Sequence, residues 1–220
     1  MTRANLTEII VVLDRSGSMA SVQDATIEAL NGYLRSQCRG VGDVMMTLIQ
    51  FDDQYEPMFL ARPIAQVPEL TRRTYQPRGS TALFDAIGRT IQDSGERFAR
   101  LPEPQRPGGV IFVIQTDGFE NASRRYSGAQ INSMISHQRD RYSWQFVFLG
   151  ANQDAISSAA KFGIAAEAAL SYDGNVACTH AAWGAMEKCT FDFRAAHAAG
   201  AIEETSWHFA ESDRRRAKKK

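Results

Sequence analysis

No segment of the sequence approaches the roughly 20 consecutive apolar residues that a membrane-crossing helix needs. The opening MTRANLTEII has no apolar stretch of signal-peptide length, so the expectation is a soluble, cytoplasmic protein. Cysteine is scarce: Cys38, Cys178 and Cys189 are an odd, scattered set without metal-binding spacings. That excludes a disulfide framework and a zinc cluster and reads as small buried residues in a reducing compartment. Cys178 and Cys189 fall in one helical stretch about 16 Å apart along its axis, too far to bridge. An excess of either charge is also lacking, since 25 Lys and Arg balance 25 Asp and Glu; no global field steers the chain to nucleic acid or a membrane. His137, His180, His197 and His208 show no H-x-x-x-H spacing, and no G-x-x-x-x-G-K-[ST] loop occurs. The commonest zinc and nucleotide-phosphate sites are thereby absent.

What is present is enough apolar material for one sizeable core, 44% of 220 residues. The spacing predicts one domain over 1–205 and a basic, disordered tail over 206–220, whose RRRAKKK (214–220) binds nucleic acid weakly at most. The runs at 7–13 (TEIIVVL, continuously apolar from Ile9) and 110–117 (VIFVIQTD) predict strands covered on both faces, 44–51 a second strand and 144–151 a further central one. Periodic stretches at 22–37, 81–100 and 128–141, a shorter one at 154–162 and the alanine-rich 174–199 predict helices, and 168–172 a last strand. Two prolines in 55–67, with no helix before it, predict an antiparallel edge strand reached by a turn at 52–54. Trp183, Phe191 and Phe193 read as core. The alternation gives an α/β, doubly wound, mostly parallel sheet with one antiparallel edge strand and helices on both faces. In such sheets ligands bind beyond the carboxyl ends of the strands, where strand order reverses.

Two aspartates stand at such ends. Asp14 closes the first strand in VVLDRSGSMA (11–20), followed by Ser16 and Ser18, and Asp117 closes VIFVIQTD. Neighbouring carboxylates in a dry crevice repel unless they are protonated or joined by a cation, and the residues around them in sequence are chiefly hydroxylic. A third loop, PRGSTALFDA (77–86), brings Ser80 and Thr81 to a helix start. Oxygen donors without His or Cys point to a hard divalent ion, Mg²⁺ first, then Mn²⁺ or Ca²⁺. The competing reading makes Ser16 and Ser18 helix caps and Asp14 a turn residue.

The D-x-S-x-S of Asp14, Ser16 and Ser18, the G-S-T-A-L containing Thr81 and the T-D-G containing Asp117 resemble the three loops of the metal-ion-dependent adhesion site of von Willebrand factor A (VWA) domains. The likeness extends over roughly residues 6–200. It implies the Rossmann-like VWA fold and a Mg²⁺ or Mn²⁺, with Ca²⁺ less favoured. Asp14, Ser16 and Ser18 would be ligands, and Thr81 and Asp117 would complete the shell directly or through water. It further implies an open position for a Glu or Asp carboxylate of a partner protein. Asp52 and Asp85 are not required by the motif: they read first as a turn aspartate and a first-turn helix charge, and only secondarily as supporting candidates. Without export signals the chain looks like the small, free-standing intracellular bacterial members, which FVFLGANQDA (146–155) also resembles.

The leading functional expectation is a non-enzymatic, metal-dependent protein-interaction module with no catalytic residues and no membrane partner. Arg15, Met19, Phe119, Glu120 and Asn121 flank the loops and are expected to shape specificity. One alternative is a metal-assisted phosphoesterase or phosphoryl transferase; against it, Ser16 stands where a D-x-D pair would carry its second acid. The other is a scaffold with a vestigial metal site.

Overall fold

In the computed structural model, residues 2–200 and 207–218 are described. Strand β1 (Arg3–Asp14) holds Ile9, Ile10, Val11, Val12 and Leu13 fully out of solvent, as a run without polar alternation requires of a central strand. It pairs in parallel with β2 (Asp43–Phe51) on one side and β4 (Pro107–Thr116) on the other. β3 (Tyr55–Pro63) adds antiparallel to β2 at the edge, where Pro57 and Pro63 cost no ladder bond, and β5 (Gln145–Ala151) and β6 (Ala169–Tyr172) extend the other side. The sheet order is β3-β2-β1-β4-β5-β6. The chain leaves β1 for one side and returns at β4 for the other, so the reversal of order falls between these two strands, and Asp14 stands at that point.

Helices α1 (Gln23–Gln37) and α5 (Val176–Ala198) pack on each other through Tyr33 and Trp183, whose rings lie 5.1 Å apart. α2 (Leu83–Arg100), α3 (Gly128–Tyr142) and α4 (Ala155–Lys161) form a second layer. α2 buries Leu83, Ala86, Ile87, Thr90, Ile91 and Ser94, one helical stripe, against the sheet. Trp183 and Phe193 are core residues as expected, with Phe191 half-buried. All three cysteines are free; Cys178 is buried and Cys189 partly so, but Cys38 is exposed just past the end of α1, contrary to the expectation of burial. Among the described residues no helix is long and apolar enough to cross a membrane.

The structure corrects the expected free tail. Trp207, Phe209 and Ala217 are buried, and Glu211–Arg216 forms helix α6. Arg214 donates to the carbonyls of Ala169 and Ala166 at 2.7 Å each, while Asp173 N–H donates to Ala217 O. A charge run reads as solvated only if its guanidiniums lack acceptors. Here carbonyls beside β6 supply them, and two aromatics upstream anchor the segment. The expected boundary at 205/206 and the last two lysines lie outside the described residues.

Candidate metal centre

β1 and β2 are in register, Asp14 opposite Phe51, and Leu13 faces Gln115 on β4. The three strand ends therefore open at one level. Asp14 is 0% exposed. Its Oδ1 accepts the Ser16 N–H at 2.6 Å, closing an Asx turn, and its Oδ2 accepts the Thr116 hydroxyl at 2.5 Å. The turn carries Ser16 Oγ to 3.2 Å from Ser18 Oγ, and Ser18 Oγ donates to Asp117 Oδ1 at 2.6 Å. Neither serine caps a helix through its side chain: Ser16 precedes a 3-10 turn without a side-chain capping bond, and α1 begins after Val22. The helix-cap alternative is thus not the arrangement found.

The middle loop is sewn onto the first. Gly17 N–H donates to Gly79 O at 3.2 Å, and Gly79 has φ +67°, a left-handed conformation that glycine adopts without strain. Thr81 is buried, and its hydroxyl approaches Gly118 so closely that a Cβ there would lie 3.1 Å from Thr81 Oγ1 and 3.7 Å from Ser18 Oγ. Asp14, Ser16, Ser18, Thr81 and Asp117 come together from three segments, two of them at strand ends and one at the start of α2.

Burial pushes the Asp14 carboxyl up to about 6 against the hydrogen bonds from Thr116 and Ser16, with the Asp117 charge adding to the rise. Asp117 is also raised, chiefly by burial and against the Ser18 hydrogen bond. Among the described residues neither carboxylate has a Lys or Arg partner; Arg15, next in sequence to Asp14, turns away to Asp52 (3.1 Å) and Glu56 (2.6 Å). Nor do three or more His, Cys, Asp or Glu side chains cluster in a metal-holding group among them. A cation here would rest on two carboxylates and three hydroxyls, an all-oxygen set that fits a hard divalent ion retaining several waters.

The two supporting aspartates have other duties. Asp52, also fully buried, accepts from Arg15 and Arg78 (2.8 Å) and from the Gln54 N–H (2.6 Å). Asp85 accepts the backbone N–H groups of Arg124, Arg125 and Tyr126 at 2.9–3.0 Å and so shapes the loop after β4. Of the five flanking residues, Met19 and Arg15 are buried. Glu120 spends both oxygens on Ala122 N, Ser123 N, Ser123 Oγ and Phe84 N, tying that loop to the start of α2. Asn121 holds the Thr81 N–H at 2.8 Å but is itself exposed, and Phe119 stands 69% exposed beside the loops. The expectation of a specificity rim narrows to these two.

Two contributors were missing from the sequence reading. Thr116 precedes Asp117 directly, and its β-branched hydroxyl at a strand end was the available signal. Tyr75, buried, donates to Asp14 O at 2.6 Å from a loop without periodicity, and nothing local marks it.

No protein-family model matches the sequence, and no curated protein matches it. Solved structures do match. Proximal thread matrix protein 1 of the mussel byssus superposes with a TM-score of 0.56 at 13% identity, over 87% of this chain and 47% of that one. Another of its structures, with a zinc-occupied MIDAS motif, gives 0.54 at 14% identity over 90% and 47%. A von Willebrand factor type A protein from Catenulispora acidiphila gives 0.55 at 16% identity over 86% and 43%. The chain spans just under half the length of each. The six-stranded sheet with a single antiparallel edge strand, the flanking helices and these superpositions agree that the chain folds as a von Willebrand factor A-type domain.

Proposed function

We propose that this protein is a divalent-metal-dependent protein-interaction module whose ion takes up a Glu or Asp carboxylate of a partner. The observation that carries the reading is the convergence of Asp14, Ser16, Ser18, Thr81 and Asp117, with two raised carboxyls and, among the described residues, no cationic side chain to balance them. Asp14, Ser16 and Ser18 would hold Mg²⁺ or Mn²⁺ directly, with Thr81 and Asp117 bound directly or through water. The zinc-occupied MIDAS motif of the mussel protein supports a divalent ion in a site of this type. When bound, the ion supplies positive charge and a coordination position for an incoming carboxylate.

The rest belongs to this chain. Ser16 N–H and the Thr116 hydroxyl fix both oxygens of Asp14, Tyr75 fixes its carbonyl, and Asn121 fixes the Thr81 backbone. The donor geometry is thus set before the ion arrives, which spares ordering cost on binding. One carboxylate contact is small, so affinity must come from the rim, with Phe119 as its exposed apolar contact.

Thermal unfolding of chelator-stripped protein tests the reading. An ion at about 100 times its Kd adds about 2.7 kcal/mol, roughly 5–11 °C for a domain of this size. We expect such a shift with Mg²⁺ or Mn²⁺ in the wild type and none in D14N. No shift with any divalent ion, or an equal shift in D14N, overturns the assignment.

A further inference from the structure

The loop after β4 carries two arginines whose guanidiniums have no acceptor among the described residues. Arg124 and Arg125 spend their backbone N–H groups on Asp85, which fixes where the side chains start, but no carboxylate, carbonyl or ring meets either head group. Both line a cavity of about 670 Å³ that also reaches Ser80 and Asn121, immediate neighbours of the Thr81 and Asp117 loops. Its floor includes the buried Phe51 and Ala86. Two acids face the same cavity. Asp85 is consumed by three N–H donors, and Asp53 is exposed beside Gly79. A third arginine on the wall, Arg89, is already engaged, stacked over Tyr55 at 4.1 Å and 3.5 Å from Asp93.

We propose that this cavity is a second anchor for the same partner: an acidic segment places one carboxylate on the ion and a second, a few residues away, between Arg124 and Arg125. The inference rests on the metal-dependent reading above and adds the partner's chemistry to it. Charge balance supports it. A divalent ion held by Asp14 and Asp117 is formally neutralised, so the ion site alone gives little long-range attraction for an acid. The two unpaired guanidiniums add short-range donors that the ion site lacks, and their planar fork matches a carboxylate. Because Asp85 and Glu120 hold the loop's backbone, the arginines work from a preorganised base.

The test uses a series of capped peptides, Gly-Glu-(Gly)n-Glu-Gly with n from 0 to 6, and a matched peptide with a single Glu. They are titrated into the Mg²⁺-loaded, ¹⁵N-labelled full chain, with amide shifts read for Kd. At least one spacing should bind tenfold or more tightly than the single-Glu peptide. In R124Q/R125Q that advantage should vanish while the single-Glu Kd and the Mg²⁺ thermal shift stay as in wild type. If the single-Glu peptide binds in a chelator-sensitive way but no second Glu gains more than twofold, or the gain survives in R124Q/R125Q, the second anchor is overturned and the metal reading stands. If the peptides bind identically in chelator and in D14N, carboxylate capture by the ion fails and the anchor falls with it.

Discussion

Two aspartates stand at the ends of neighbouring strands, Asp14 as the last residue of β1 and Asp52 as the first after β2, both 0% exposed, and the chain treats them oppositely. At Asp52, burial pushes the carboxyl up, but hydrogen bonds from Arg78 and Gln54 N–H and the charges of Arg15 and Arg78 outweigh it and hold it below the ordinary carboxylate value. At Asp14 burial wins, because among the described residues only hydroxyl and amide donors face it. The difference teaches that burial is not the signature of a binding site here; unbalanced burial is. Asp52 is complete within the protein, while among the described residues no side-chain cation pairs with Asp14 or Asp117, which the proposed reading leaves to a bound ion.

If that contrast is right, removing the two charges has opposite effects. D52N strips the buried Arg15 of one of its two carboxylates. Breaking a buried pair costs about 3–5 kcal/mol, and since Glu56 remains the low end applies, a loss of roughly 6–12 °C in Tm that is the same with and without metal. D14N removes a charge that no cationic side chain among the described residues balances. Its amide oxygen can still accept from Ser16, and the Thr116 hydroxyl can turn to accept from its nitrogen. Metal-free D14N should therefore be more stable than metal-free wild type at pH 7, by about 1–2 kcal/mol, and deaf to Mg²⁺. Denaturant unfolding in chelator measures both, and destabilisation of similar size in the two variants would erase the contrast.

Acid titration sharpens the same point. Asp14 has a folded pKa of about 6 against 3.8 unfolded, so between about pH 4 and 6 the folded state holds the proton more tightly. Metal-free stability therefore falls as pH rises through that window, by up to about 3 kcal/mol from this group. Asp52, with a lowered pKa, contributes in the other sense: stability present above its unfolded value and lost as pH falls below it. The wild-type minus D14N difference isolates the first effect, and a flat difference from pH 4 to 7 would sink it. Divalent affinity should weaken below about pH 6, as protons compete for Asp14.

Much of this was legible in the sequence, for identifiable reasons. Covered parallel strands are continuous apolar runs, so 7–13 and 110–117 announced central strands, and an acid at the end of each could only lie at the rim where ligands bind. Ser16, Ser18 and Thr81 were found because hydroxyls recur at short spacing beside those acids. What escaped depended on contacts distant in sequence. Asp52 read as a turn aspartate, and it does accept the turn N–H of Gln54, but its partner Arg78 lies 26 residues on, and pairing of that kind leaves no local pattern. Glu120 looked like a rim acid, yet four donors in two segments absorb it. The last stretch read as a tail because its charge was visible while its carbonyl acceptors near β6 were not.

The smallest effect divides Asp52's two arginines. Arg15 Nε and Arg78 Nε both bond Asp52 Oδ2, at 3.1 and 2.8 Å, but the Arg15 side chain is 6% exposed and that of Arg78 51%. Distance alone ranks Arg78 as the stronger partner; solvent reverses the order. Water and salt screen an exposed guanidinium and replace it when it is removed, so R78A should cost little. Arg15 has little water to replace it, and without it Asp52 would keep a half-screened partner and its turn hydrogen bond from Gln54. R15M, which keeps the stem's volume, should therefore cost more than R78A, though less than D52N, since no unpaired guanidinium is left buried. Equilibrium unfolding of the three variants in chelator gives the order directly. If R78A proves as costly as D52N, the charge that completes Asp52 comes from the surface, and the contrast with Asp14 narrows to one exposed side chain.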